Sequence, residues 1–160
     1  MTSKPVPATS LSLLIESTDQ AEELAKPLPD EFYALARKFW PGPLTIIVRA
    51  GSRLPLKVTA NTGNVALRVP SARIPLAVVT AAAIPITATS ANLSGASECT
   101  SAEQVRDQLQ GRINIIVDGG ASPRDIPSTI VDLSDEASRW RIIREGAIPA
   151  DVISQFFAQG

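Results

Sequence analysis

Short apolar runs alternate with helix-spaced apolar positions along this chain, and prolines and glycines mark where one gives way to the other. Leu11-Ser-Leu-Leu-Ile15 predicts a buried strand. Ser17 or Thr18 then supplies the cap of a helix running to about Ala25, with Glu22 and Glu23 favourably placed in its first turns. Pro29 opens a second helix whose apolar positions Phe32, Leu35, Ala36 and Phe39 share one face, and Trp40-Pro-Gly-Pro43 ends it. Leu44-Thr-Ile-Ile-Val48 is β-branched and bounded by turn residues, so a strand. Asn61-Thr-Gly-Asn64 predicts a turn, followed by the strand Val65-Ala-Leu-Arg-Val69 and the terminator Pro70. An alanine-rich helix is expected from Pro75 to Ala83, then a strand over Ile84–Ala88.

The second half continues the alternation. Thr100 or Ser101 with Glu103 or Gln104 has the pattern of a helix N-terminus, and Gly111 marks its end. Ile113-Asn-Ile-Ile-Val117 predicts a strand closed by Asp118-Gly-Gly120. Ser128–Asp132 and Trp140–Arg144 are two more strands, expected to be neighbours, and Glu145-Gly146 turns into a final helix from Pro149 to about Phe157. Strands interleaved with helices mean an α/β fold, and several connections too short for a crossover mean a mixed parallel and antiparallel sheet. The 160 residues fit a single domain, with the first ten irregular.

Composition narrows the chemistry. Hydrophobic residues make up 44% but aromatics only 4%, so the core is aliphatic. There is one cysteine, Cys99, and no histidine, which excludes internal disulfides, Cys/His zinc sites and Ser-His-Asp triads together. No apolar run is long enough to span a bilayer and no signal-peptide pattern opens the chain, so a cytosolic, membrane-free setting is expected. The net charge of −1 hides an internal asymmetry. Between Phe32 and Ser97 there is no Asp or Glu, yet the segment carries Arg37, Lys38, Arg49, Arg53, Lys57, Arg68 and Arg73. Such a bias points to an anionic ligand.

Four clusters could carry chemistry, each with a plainer alternative. Thr89-Ser-Ala-Asn92, ahead of Ser94 and Gly95, supplies hydroxyls and an amide that suit an anion cradle, or else an ordinary turn. Arg68, inside an apolar strand, is either a fork for a carboxylate or phosphate or an outward-facing residue of an edge strand. Ser128, in Pro127-Ser-Thr129, belongs to a site or to turn chemistry. Arg144 is a phosphate clamp or a surface ion pair with Glu145. Neither a Walker loop nor a dinucleotide fingerprint is present, and no catalytic base or nucleophile stands out. Cationic and hydrogen-bonding groups alone suit phosphoryl or nucleotidyl transfer, where positioning and charge stabilisation do most of the catalysis.

Taken in series, six stretches resemble the YrdC-like family of threonylcarbamoyl-AMP synthases. They are Lys38-Phe-Trp-Pro-Gly-Pro-Leu-Thr45, Val65-Ala-Leu-Arg-Val-Pro70, Thr89-Ser-Ala-Asn-Leu-Ser-Gly95, Val117-Asp-Gly-Gly120, Pro127-Ser-Thr-Ile-Val-Asp132 and Ile143-Arg-Glu-Gly-Ala-Ile148. The resemblance implies a YrdC-like twisted mixed sheet with flanking helices around a positively charged cavity. It implies an enzyme that converts ATP, L-threonine and bicarbonate to L-threonylcarbamoyl-adenylate and pyrophosphate, with Mg2+ accompanying ATP. The product feeds the threonylcarbamoyladenosine modification of tRNA through separate transfer proteins. By the same resemblance Ser90, Asn92, Arg144, Lys4 and Asn64 contact ATP or its phosphates, while Arg68 and Ser128 hold threonine.

The departures from the family pattern carry their own expectations. The family's opening strand, with a Thr-Glu-Thr-x-Tyr-Gly-Leu motif lining the threonine pocket, has no counterpart here. Its Lys-x-Arg-Pro element survives only as Lys4-Pro-Val-Pro7, with Val6 replacing the arginine. Ser71-Ala-Arg-Ile-Pro75 replaces a shorter step to His-Pro or Asn-Pro, and Glu98-Cys99 stands where Ser-Pro is common. The resemblance therefore describes a short member with an incomplete site, impaired turnover, and an exposed sheet edge that invites a homodimer. The competing expectation is a non-catalytic nucleotide- or double-stranded-RNA-binding module of the same fold.

Overall fold

The computed structural model describes residues 11–25, 27–122, 126–135 and 137–158. Lys4 and the Lys4–Pro7 stretch lie outside the described residues. Within them the chain gathers into two compact units: Thr89–Ile126 forms one, and the residues on either side form the other.

The first unit is built on a sheet. Its strands are β1 (Ser12–Leu14), β2 (Leu44–Arg49), β3 (Asn64–Arg68), β4 (Ile86–Ala88), β5 (Thr129–Asp132) and β6 (Arg141–Arg144). They lie in the order β4-β1-β3-β2-β5-β6. β1 pairs parallel with β3, and β2 parallel with β5; the other three pairings are antiparallel. The mixed sheet expected from the short connections is thus present. Four helices accompany it: α1 (Thr18–Leu24), α2 (Asp30–Phe39), α3 (Arg73–Ala82) and, after the excursion of the second unit and its helix α4 (Ala102–Leu109), α5 (Ala150–Ala158).

Local chemistry accounts for the boundaries. Ser17 Oγ accepts from Gln20 N and caps α1. Pro29 precedes α2, where no helical N–H is lost, and Trp40 ends it with an extended backbone. α3 starts at Arg73 and accommodates Pro75 within its first turn. It closes on Ala83 in the left-handed region (φ 53°), which delays β4 to Ile86 and leaves Ile84 exposed, two residues later than expected.

β2 is the most deeply covered strand, with Leu44 to Val48 all buried, which explains why it is a continuous apolar run rather than an alternating one. Phe32, Leu35, Ile15, Ile46, Leu67, Val131 and Ile153 complete the core. Each such side chain stabilises the fold by about 1.5–3 kcal/mol on burial. Phe32 also sets its ring edge-to-face with Trp40, centroids 5.5 Å apart. β3 lies between β1 and β2, so Arg68 belongs to an interior strand, and the edge-strand alternative for it is excluded.

The second unit holds one correction. Ile113–Val117 forms no strand: Ile115 and Val117 are 78% and 65% exposed, and no described segment pairs with them. The β-branched pattern has the composition of a strand without a ladder partner, and a strand without a ladder is not retained. α4 behaves as expected, with Ser101 Oγ accepting from Gln104 N and Gly111 at φ 77° just past its end. No helix among the described residues is long and apolar enough to cross a membrane.

Candidate functional site

Strand direction decides which candidates meet. β2 and β5 start, and β3 and β6 finish, at the same end of the sheet, because β3 and β6 run antiparallel to their respective neighbours. Arg68 closes β3, Ser128 precedes β5 and Arg144 closes β6. All three therefore sit at one end. Asn64 opens β3, in register with Arg49, four residues from Arg68 and so about 13 Å away along the strand. The structure does not bring Asn64 to the other three.

The turn Trp40-Pro-Gly-Pro43 ties this end together. Its Trp40–Pro41 peptide is cis. Trp40 Nε1 donates to Leu44 O (2.7 Å), Gly42 N donates to Val69 O (3.0 Å), and Thr129 N donates to Pro43 O (3.0 Å). A side chain at position 42 would collide with the Phe39 carbonyl, so glycine is required for the close approach. Half-buried Arg68 donates from Nε to the carbonyl of buried Gly42 (3.0 Å), which ties its guanidinium to the turn.

On the other side of the turn stands a small polar knot. Arg144 donates from Nε and Nη2 to Ser128 O (3.2 and 2.8 Å), and its Nη2 lies 3.4 Å from Ser128 Oγ. It is bound to β5 rather than to Glu145, so the surface ion pair is not what holds it. Ser128 Oγ is 2.9 Å from Thr45 Oγ1. Thr45 is only 1% exposed and was absent from the sequence-based candidates, because a threonine within an apolar run scores as a strand former. The available signal was a hydroxyl at a position whose neighbours Leu44 and Ile46 demand burial, where it needs a partner.

Beneath them, Thr129 Oγ1 donates to Ile148 O (2.6 Å) and accepts from Gly146 N and Ile148 N (3.0 Å each), pinning the Glu145–Ile148 turn to β5. Two grooves of about 450 and 400 Å3 are found among the described residues of this unit, and neither is lined by Arg68, Ser128 or Arg144. The nearer one reaches Trp40, Pro41 and Val69.

Ser90 and Asn92 belong to the second unit. Ser90 is exposed. Asn92 Nδ2 donates to Leu93 O (3.0 Å) and Ala96 O (2.9 Å), so its amide donors close the Leu93–Ala96 turn, and its Oδ1 is the buried atom without a partner. Gln108 of α4 clasps the same loop, accepting from Leu93 N (3.0 Å) and donating to Ser97 O (3.1 Å). Gly95 at φ 83° completes the turn. The Val117–Gly120 motif forms an Asx turn, Asp118 Oδ1 accepting from Gly120 N (2.9 Å).

The acid-free segment does not form one basic patch within the first unit. Arg49 and Arg68 fall at opposite ends of the central strands, and each donates to a backbone carbonyl, Ser134 O and Gly42 O. No group of three or more His, Cys, Asp or Glu side chains suited to a metal occurs among the described residues.

Comparison with known proteins agrees with this architecture. Residues 1–146 match the Sua5/YciO/YrdC family model, described as telomere recombination. The chain is similar to the threonylcarbamoyl-AMP synthase of Pyrococcus abyssi, 36% identical over 151 residues, covering 93% of this chain and 43% of the relative. It is similar to the Bacillus subtilis enzyme of the same name at 38% identity over 140 residues, covering 87% of this chain and 40% of the relative. The crystal structure of P. abyssi Sua5 complexed with L-threonine superimposes with a TM-score of 0.85 at 36% identity, over 91% of this chain and 42% of that one. The chain thus spans less than half the length of these relatives. With the family's motifs occupying the ends of β3, β5 and β6 and a family match over most of its length, the chain belongs to the Sua5/YciO/YrdC family.

Proposed function

We propose that this chain carries the adenylate-forming site of a cytosolic L-threonylcarbamoyl-adenylate synthase, an ATP-dependent nucleotidyltransferase acting in tRNA modification. The observation that carries the reading is the convergence of Arg68, Ser128 and Arg144 at one end of the sheet. The names of the relatives, and the solved complex of P. abyssi Sua5 with L-threonine, support it.

In this reading Arg68 forks the threonine carboxylate and Ser128 seats the amino acid, while Arg144 faces the nucleotide. The threonine amine condenses with bicarbonate, whose hydroxyl leaves as water, to give a carbamate; a carbamate oxygen then attacks the α-phosphorus of ATP and expels pyrophosphate. The exposed hydroxyl of Ser90 meets phosphate oxygens. Asn92 acts by holding the loop, since its N–H groups are committed to Leu93 and Ala96. Mg2+ would accompany the triphosphate and offset its negative charge. The adenylate passes to proteins that transfer the carbamoyl group to tRNA. A second copy of the chain joins through β4, which has a partner on one side only among the described residues.

Pyrophosphate release tests the reading. Release is expected to require threonine and bicarbonate together, and to be lost in Arg68→Ala and Ser90→Ala. A folded wild-type chain that releases none with all substrates present overturns it.

A further inference from the structure

We propose that Thr45 is a positioning residue: its buried hydroxyl donates to Ser128 and thereby turns the Ser128 proton outward, toward an oxygen acceptor of the bound amino acid. The inference rests on the reading of Ser128 as the seat of that amino acid and adds the polarity of the seat.

The argument is a count of protons. Thr45 lies in β2 with 1% of its surface exposed, so its hydroxyl has no access to water and needs a partner in the protein. Ser128 Oγ, 2.9 Å away, is the one hydrogen-bond partner its Oγ1 has among the described residues, and either oxygen could supply the proton. A hydroxyl has one proton and two lone pairs. Arg144 Nη2, 3.4 Å from Ser128 Oγ, can only donate, and so takes one lone pair of Ser128.

Two arrangements remain. If Ser128 donated to Thr45, the Thr45 proton would be left buried and unpaired, which is costly. If Thr45 donates, its proton is paired, both lone pairs of Ser128 are filled by Thr45 and Arg144, and the Ser128 proton has nowhere to go but out. Ser128 is half-buried, so that direction is open to a ligand. The seat then selects a carboxylate, hydroxyl or carbonyl oxygen and turns away an ammonium. Thr45 itself, covered by Ser128, touches no ligand.

Calorimetric titration of the full chain with L-threonine tests this, using wild type, Thr45→Val, Thr45→Ser, Ser128→Ala and the Thr45→Val/Ser128→Ala double variant. Valine keeps the branched shape and removes the proton. Thr45→Val is expected to weaken L-threonine binding about tenfold. Thr45→Ser is expected to restore it, and the double variant to bind no more weakly than Ser128→Ala alone, because both changes remove one unit. Thr45→Cys, a weak donor of similar size, is the second variant should valine unfold the chain, and it is expected to weaken binding as well. Wild-type affinity in Thr45→Val or Thr45→Cys, or additive losses in the double variant, overturns the role of Thr45 while leaving the proposed function intact. A folded wild type that does not bind L-threonine overturns both.

Discussion

Thr129 and Ile148 are locked to each other through a single hydroxyl: Thr129 Oγ1 donates to Ile148 O at 2.6 Å and accepts from Ile148 N at 3.0 Å. The same oxygen accepts from Gly146 N, so one fully buried side chain replaces a strand partner for the turn that follows β6. Thr129→Val keeps the shape and strands three backbone groups. We expect a loss of about 2–3 kcal/mol in urea unfolding with an unchanged slope, and near-complete recovery in Thr129→Ser.

Gly146 has no room for a side chain. A Cβ there would lie 2.7 Å from Ser128 C and 2.8 Å from Ser128 O, the carbonyl that receives Arg144, and would collide with Pro127 O. Gly146→Ala is expected to destabilise the fold by more than the usual 0.5–3 kcal/mol of a point change, about 3 kcal/mol or above. Thermal unfolding measures the loss. A midpoint equal to wild type would mean that the turn and β5 separate easily.

Arg144 reaches Ser128 O with two nitrogens, a geometry that lysine cannot copy. Arg144→Lys keeps the charge and loses the fork. Under the proposed function, ATP binding by this variant is expected to fall about tenfold, the worth of one charge-assisted hydrogen bond, with the melting temperature nearly unchanged. A fluorescent ATP analogue titrated against both proteins gives the ratio directly.

Glu31 is held below its ordinary carboxylate value of 4.5, first by a hydrogen bond with its own backbone N–H in the opening turn of α2 and second by Arg139, whose Nη2 is 2.9 Å away. A depressed carboxylate contributes stability that is present above about pH 4.5 and is lost as pH falls through the folded value. Arg139 is largely exposed, so the pair itself is worth little. Carbon-detected NMR titration should show Glu31 in Arg139→Ala rising only part of the way back, because the larger cause remains.

The proposed pairing of two copies through β4 has a simple probe. Thr87 is exposed in the middle of this edge strand, and a lysine there discourages strand addition. Sedimentation velocity is expected to show a dimer for wild type and a monomer for Thr87→Lys. A wild-type monomer across the accessible concentration range removes the pairing.

Much of the fold was legible because local signals and tertiary demand agree here. Ser17 and Ser101 cap the helices that their spacing announced, and Trp40-Pro-Gly-Pro43 stops α2 where its chemistry requires. Ile113–Val117 shows the limit: its pattern has the right residues for a strand, but a strand also needs a neighbour, and pairing is not encoded in the segment itself. For the site, residue types located Arg68, Ser128 and Arg144, yet only strand direction separates them from Asn64. Thr45 was hidden because its partner Ser128 is far away in sequence.

The placement of β2 has a consequence for how the chain is made. Its one flank is covered early by β3, but the other waits for Thr129–Asp132, which leaves the ribosome only after the whole Thr89–Ile126 excursion has been synthesised. Throughout that interval the run Leu44 to Val48, fully buried in the finished protein, presents an open apolar strand edge. Non-local closure of this kind is slow, and it places the period of greatest aggregation hazard, and of greatest need for a chaperone, late in translation.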